Sequence, residues 1–321
     1  EGTVEGNSFV GGIVGVAYQQ NTIQNVRNAG KVLGNSELGG IAGSVEADSS
    51  VRNAVQTGTV EQRTGQSDPN VGGVVGVLDD GSTVTHAVWK EGTVKDGNGA
   101  LIENGVGKVQ GNSTVTDVEE RSEAQMKLAE TYKDWKDGSG KALVAAEGGK
   151  GTPWRIYEGH TTPLLTALMK GTKRLEKVYD GNVFATTDPH ITLVHPGKDV
   201  GTYDAYSDQF GYDLIGSTYR IAPRVLTMSG VAAQTKTYDG NTNADATQFS
   251  ATLNNVVTGE ESLVTATATG AAYNSKDVAT ANKVNYALAL SGTGAGNYTL
   301  AATTVQGAGT ISRRALTLGT V

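Results

Sequence analysis

Val10-Gly11-Gly12-Ile13-Val14-Gly15 recurs as Leu38-Gly39-Gly40-Ile41-Ala42-Gly43, and again as Val71-Gly72-Gly73-Val74-Val75-Gly76. A second track keeps step with it: Asn25-Val26-Arg27-Asn28-Ala29, then Ser50-Val51-Arg52-Asn53-Ala54, then Thr83-Val84-Thr85-His86-Ala87. A third runs through Gly2-Thr3-Val4, Gly30-Lys31-Val32, Gly58-Thr59-Val60 and Gly92-Thr93-Val94. Each repeat reads as three short β segments divided by polar turns. A fainter copy lies at Leu101-Ile102-Glu103-Asn104-Gly105 and Ser113-Thr114-Val115-Thr116-Asp117-Val118. So small a unit cannot bury its apolar side alone, but stacked units can, each strand pairing with its equivalent in the next coil. This predicts a right-handed parallel β-helix over residues 1–118.

Local chemistry agrees. The strand period of two places Ile23 and Gln24 on opposite faces. Gly12, Gly15, Gly40, Gly43, Gly73 and Gly76 permit sharp corners and close approach of one coil to the next. Asn28 and Asn53 sit at equivalent places in the second track and are expected to stack as an amide ladder, which His86 ends.

Composition narrows the function. The 321 residues include 44 glycines, few aromatics and no cysteine. That favours thin, turn-rich β layers, and it excludes a disulfide scaffold and thiolate chemistry. The net charge is −7 with both signs interspersed, so no basic stripe invites nucleic acid. No apolar run approaches the roughly 18 residues of a membrane span. The chain opens at Glu1-Gly2-Thr3-Val4, already inside a repeat, and reads as a fragment of something longer.

The glycine tracks resemble the GLUG motif of large bacterial exoproteins, over residues 1–118. The pattern then changes. Ser122-Glu123-Ala124-Gln125 has the form of a capping box, and Leu128, Tyr132 and Trp135 follow at the spacing of an amphipathic helix. A small helical cap is expected over 119–172, closing the end of the β-helix. Trp135, Trp154-Arg155-Ile156, Glu158-Gly159 and Pro163-Leu164 resemble the segment that closes GLUG arrays.

Lys177-Val178-Tyr179-Asp180-Gly181-Asn182 recurs as Lys236-Thr237-Tyr238-Asp239-Gly240-Asn241. A closing pattern around Ile221-Ala222-Pro223-Arg224-Val225-Leu226-Thr227 recurs around Ile311-Ser312-Arg313-Arg314-Ala315-Leu316-Thr317. Alternating runs at 263–268 and 284–290, joined by turn signals, predict tandem small β-sandwiches of Ig-like shape. They resemble the YDG/MBG-type repeats of adhesins. The expected domains are 173–228 and 229–317, with 318–321 opening a further repeat. In each Tyr-Asp-Gly turn the Asp is expected to bond turn amides, the Gly to take a positive φ, and the Tyr to pack at the sandwich edge.

Little here points to catalysis. His86, His160, His190 and His195 form no zinc-type pair, and the tight acidic pairs Asp79-Asp80 and Glu119-Glu120 sit in turn-like contexts. No cofactor or metal is expected. Trp89, the one tryptophan in the array, is read first as covering a gap in the coil, and it is also the candidate ligand-stacking residue. Asn112 in Asn112-Ser113-Thr114 is the candidate glycosylation site. The resemblance implies a secreted, filamentous-haemagglutinin-like adhesin of the two-partner-secretion type. Its place is the bacterial cell surface, with an outer-membrane secretion partner and glycans, exopolysaccharide or host receptors as partners. The fragment itself is expected to be a monomeric stalk in attachment, aggregation or biofilm formation. The alternatives are a glycan-binding β-helix face and, remotely, a polysaccharide-degrading enzyme on that face.

Overall fold

The computed structural model describes residues 2–317, and the further repeat expected at 318–321 lies outside the described residues. The chain forms two compact units. The first holds the residues up to Arg174 with Thr186–Val194 and Asp204–Thr218; the second holds Leu175–Ala185, His195–Tyr203 and the chain from Tyr219 onward. The segment expected as a domain at 173–228 thus contributes to both units. The boundary expected at 228/229 falls inside one strand, Arg224–Ser229.

The first unit is built on a parallel β-solenoid. Its strands are β1 (Thr3–Glu5), β2 (Ser8–Gly11), β3 (Val14–Ala17), β4 (Thr22–Asn28), β5 (Lys31–Gly34), β6 (Ser36–Gly39), β7 (Ala42–Val45), β8 (Ser50–Gln56), β9 (Val60–Gln62), β10 (Val71–Gly72), β11 (Val75–Leu78), β12 (Thr83–Lys90), β13 (Val94–Lys95), β14 (Val106–Val109) and β15 (Thr114–Arg121). They stack in four columns, β1-β5-β9-β13, β2-β6-β10, β3-β7-β11-β14 and β4-β8-β12-β15. A coil therefore has four strands, not three, because the Gly-Gly track contains a corner that splits it into two. The fainter last copy is a real coil, with Val75 opposite Val106 and Thr83 opposite Thr114. Successive coils are offset by 28, 33 and 31 residues.

Valine and other aliphatics fill the interior. Val4, Val32, Val60 and Val94 stand in one column, and Val10, Leu38 and Val71 in another. Val32, Leu38, Ile41, Val51, Val60, Val74 and Val84 are fully buried, and burying each such side chain contributes about 1.5–3 kcal/mol. Ile23 packs on this core and Gln24 faces outward, as their alternation predicts.

The glycines are required by proximity. A Cβ on Gly40 would lie 2.3 Å from the carbonyl oxygen of Gly73, and one on Gly43 would lie 2.3 Å from the carbonyl carbon of Phe9. Neither has a positive φ. The second glycine of each track also has a side chain lying on it, Asn28 on Gly12, Gln56 on Gly40 and Trp89 on Gly73.

The expected Asn28–Asn53 ladder does not form. Asn53 pairs with Asn25, its Nδ2 donating to Asn25 Oδ1 at 3.3 Å, while Asn28 stands opposite Gln56. Asn25, Asn53, His86 and Asp117 all adopt the left-handed backbone, with φ of 53°, 54°, 54° and 51°. This kink puts Val51 and Ala54 inside the coil although they are an odd three positions apart. The column needs residues that tolerate αL, and among residues with a side chain Asn, Asp and His do so best.

The segment after β15 departs from the expected helix. The capping box is present, Ser122 Oγ accepting from Gln125 N while Gln125 Oε1 accepts from Ser122 N. The α-helix is nonetheless one turn, Glu123–Met126, followed by a 3₁₀ turn at Ala129–Tyr132. Leu128 is exposed between them in an extended conformation. Met126, Tyr132, Trp135, Leu143, Trp154 and Ile156 cluster on Val55 and Val88, which point outward from β8 and β12. The segment thus covers a flank of the solenoid instead of closing its end. A flat strand surface is matched by an irregular apolar sheet of side chains better than by one helical stripe.

Among the described residues two sheets lie wholly within the second unit. One orders Gln234–Thr237, Thr304–Ser312, Lys283–Ser291 and Thr265–Tyr273; the other places Arg224–Ser229 between Thr252–Asn254 and Tyr298–Leu300. Val284, Tyr286, Leu288, Tyr273 and Ile311 form the core, with Met228, Phe249 and Leu300 packed against them.

If backbone proximity dictates the glycines, Gly40→Ala will destabilise the first unit by about 1–3 kcal/mol, the usual penalty of overpacking. Gly138→Ala, where a Cβ meets nothing within 4 Å, will change thermal stability by no more than about 0.5 kcal/mol. Thermal unfolding followed by circular dichroism reads both; equal effects would refute the proximity account.

Candidate functional site

The repeated residues are committed to stacking. Asn28 Nδ2 donates to Gly40 O at 2.9 Å and its Oδ1 accepts from Gly30 N at 2.8 Å, closing a corner between coils. Asn25 Oδ1 also accepts from Trp154 Nε1 at 3.2 Å, tying the flank segment to the kinked column. His86 and Asp117 continue that column with an Nε2–Oδ2 distance of 3.2 Å.

Trp89 is not a ligand platform. It is 3% exposed, belongs to the solenoid core, and lies over Gly73 and Gly105. A large ring is accommodated there because two glycines leave the space. Asn112 does sit in an exposed turn between β14 and β15. The acidic pairs are held by neighbours. Asp79 accepts from Asp80 N at 2.8 Å and from Gln110 Nε2 at 3.2 Å, Glu119 is paired with Arg121, and Glu120 accepts from Gly92 N at 3.2 Å. Among the described residues no group of three or more His, Cys, Asp or Glu side chains is placed to hold a metal ion.

The first unit carries an open trough of about 770 Å³. Val4 and Ile13 of the first coil line it together with Leu168 and Phe210. These four are 41–60% exposed. In the same lining Glu123 accepts from Lys90 Nζ at 2.7 Å and Lys127 Nζ at 2.9 Å. The two ammonium hydrogen bonds hold its carboxyl down to about 2. The trough offers apolar contact and a clamped ion triad. It was not legible in the sequence, because its walls come from Val4, Ile13, Leu168 and Phe210, far apart in the chain.

Arg155 is 1% exposed and fully engaged. Its Nε meets Asp213 Oδ1 at 2.9 Å, Nη1 meets Ala146 O at 2.6 Å, and Nη2 meets Ser217 Oγ at 2.6 Å. Its guanidinium lies 3.9 Å from the centroid of Tyr157, whose hydroxyl burial pushes up to about 12. The Trp154-Arg155-Ile156 motif thus buries Trp154 and Ile156 on the solenoid flank and turns Arg155 away into its own network.

The Tyr-Asp-Gly turns are the best-defined site of the second unit. Asp180 Oδ1 accepts from Asn182 N at 2.9 Å, and Asp239 Oδ1 from Asn241 N at 3.2 Å. Gly181 and Gly240 have φ of 78° and 83°. Both Asp carboxyls are held below the usual range, first by a lysine three residues earlier, Lys177 or Lys236. Each lysine also donates to the carbonyl of the following Asn, at 2.6 and 2.9 Å. That role was visible only as the repetition of Lys-x-Tyr-Asp-Gly-Asn. The tyrosines differ. Tyr179 is buried, its hydroxyl 2.7 Å from Glu260 Oε1, and Tyr298 donates to the other oxygen at 2.6 Å. Tyr238 is 37% exposed, against the expectation that it packs at an edge. Glu260 was missed, since nothing near it repeats.

Fold and site define a parallel β-solenoid joined to small β modules punctuated by Tyr-Asp-Gly turns. The YDG domain family model matches residues 222–305, a span that begins at the strand Arg224–Ser229 and contains the second turn. No curated protein and no solved structure matches the chain.

The hydroxyls of Tyr179 and Tyr298 are both raised, first by burial and then by the Glu260 carboxylate. Only the neutral phenol fits, so its contribution stands in full below the ordinary tyrosine value of about 10 and is lost as pH rises through the higher folded value. Tyr179→Phe will cost about 1.5–3 kcal/mol at neutral pH, the worth of a hydrogen bond to a charged group. It will also flatten the loss of stability above about pH 10. Denaturant melts of the second unit across that range read the slope; parallel slopes for the two proteins would contradict the assignment.

Proposed function

We propose that the chain is a stalk section of an extracellular bacterial surface adhesin, without catalysis of its own, serving attachment, aggregation or biofilm formation. One observation carries this reading. The positions that the coils share, Gly12, Gly40 and Gly73 with the side chains lying on them, are spent on holding coil to coil. A scaffold needs such repetition; a binding or catalytic face needs one coil to differ from its neighbours in exposed chemistry. The YDG match supports a surface-binding context at the coarse level. Secretion by a two-partner route, kinship with GLUG-containing exoproteins and residence at the cell surface belong to the same proposal. They rest on the glycine tracks, the absence of cysteine and the interspersed charge. Among the described residues no helix is long and apolar enough to cross a membrane.

A second reading has its own observation. The trough beside Phe210 and Leu168 presents exposed apolar side chains of 60% and 58% next to paired charges, a surface that a glycan ring can cover. An array of purified exopolysaccharides and glycans, probed with the full chain and with Phe210→Ala, separates the two. The stalk reading expects no saturable binding by either protein. Saturable binding that Phe210→Ala removes would make the first unit a lectin-like module.

A further inference from the structure

In the second unit the strand Arg224–Ser229 leads into Gln234–Thr237, and Tyr298–Leu300 leads into Thr304–Ser312. The two successions pair in parallel at both places. Arg224, Val225 and Leu226 stand opposite Tyr298, Thr299 and Leu300. Gln234, Thr235, Lys236 and Thr237 stand opposite Gly309, Thr310, Ile311 and Ser312. One further bond extends each ladder, Ala301 N donating to Leu226 O at 2.8 Å and Tyr238 N to Ser312 O at 2.9 Å.

Direction matters when such a module is pulled. In a parallel pair the N-terminal end of one strand and the C-terminal end of the other lie at opposite ends of the ladder. Tension entering before Gln234 and leaving after Ser312 therefore acts along the strands, and every rung carries part of the load at once. Tension across the open end of an antiparallel hairpin acts on one rung at a time. The pair Thr265–Tyr273 and Lys283–Ser291 is such a hairpin, with its open end at Thr265 and Ser291.

Side chains fasten the short strand beyond its ladder. A four-residue strand at the edge of its sheet is weakly held by backbone pairing alone. Gln234 is 3% exposed, its Nε2 donating to Asp245 O at 2.7 Å and its Oε1 accepting from Asp245 N at 3.1 Å. Lys236 Nζ donates to Asp239 Oδ1 at 2.8 Å and to the carbonyls of Asn241 and Asn243, both at 2.9 Å. Ser312 Oγ donates to Lys236 O at 3.3 Å. Ile311, opposite Lys236, is anchored in the core with Val284 and Tyr286.

We propose that Gln234–Thr237 and Thr304–Ser312 form a mechanical clamp, through which the module bears tension along the chain. The step that yields under load is the detachment of Gln234–Thr237 from Gly309–Ser312, with Gln234 leaving the Asp245 backbone. The clamp rests on the stalk reading only for the source of the tension; the resistance itself follows from the strand directions and the side chains that fasten them.

A chain without cysteine accepts thiol handles at chosen points. In the full chain, Ala233→Cys with Arg313→Cys loads the clamp along its strands, and Ser262→Cys with Thr293→Cys loads the open end of the hairpin. All four positions are exposed. Optical-tweezers unfolding at one loading rate is expected to need at least about twice the force in the first geometry, because forced unfolding reads the barrier met along the pulled direction. Gln234→Leu is expected to lower the first force and leave the second unchanged, whereas a general loss of stability would lower both. The clamp is overturned if the two geometries yield at the same force, or if Gln234→Leu lowers both alike. Either result would leave the stalk reading standing, and saturable glycan binding would overturn that reading without altering the ratio of forces.

Discussion

The backbone of one coil rests against the backbone of the next at the glycine corners, and the rest of the first unit depends on that approach. A methyl group at Gly11 would sit 2.6 Å from the Cα of Ala42, and one at Gly76 would sit 2.5 Å from the carbonyl oxygen of Gly43. Contact this close fixes the register of the neighbouring strands, because a slip of one residue would bring a side chain into the gap. The register in turn stacks valine on valine in the interior columns. It also stacks Asn25, Asn53, His86 and Asp117 at the kink of the longest column. No single coil could be stable alone, since its strands have only two to eight residues.

Much of this was legible in the residues. The Gly-Gly tracks marked the corners, and the Gly-x-Val track marked a column that the structure keeps in step from Val4 to Val94. The asparagines misled because Val-Arg-Asn-Ala occurs twice, and the eye aligns Asn28 with Asn53. The interior sets the true alignment, three residues away, by requiring Val51 and Ala54 to point inward across a left-handed residue. For Trp89 the reading as cover for a gap in the coil holds and the ligand-stacking one does not, since the glycines at 73 and 105 make room for the array's one tryptophan inside. The helix was half legible. Its capping box is real, yet what buries Tyr132 and Trp135 is the outward pair Val55 and Val88, and such tertiary packing outweighs helical spacing.

The modules of the second unit follow the same logic at a larger scale. Within a turn, Lys, Asp, Gly and Asn satisfy each other, so the motif can be copied without regard to context. What differs between copies is whether the tyrosine has a carboxylate and a strand pair laid over it. The residues that do this, Glu260 and Asn255, lie in a loop that no repeat marks, and only the folded chain brings them to Tyr179 and Arg224. Repetition thus supplies self-contained turns and coils, and unrepeated residues supply the joints.

The coil register is the claim on which the rest stands, and a chain without cysteine lets it be read directly. Two double variants share Arg52→Cys, one paired with Gln24→Cys and one with Arg27→Cys. The structure places Gln24 opposite Arg52, their side chains 2.9 Å apart, and Arg27 opposite Val55. A thiol cross-linker spanning about 5 Å, the strand-to-strand spacing, should join the Gln24→Cys pair and leave the Arg27→Cys pair unlinked. Preferential linking of Arg27→Cys to Arg52→Cys would mean that the coils stack three residues out of the register described, and the account of the glycine corners would fall with it.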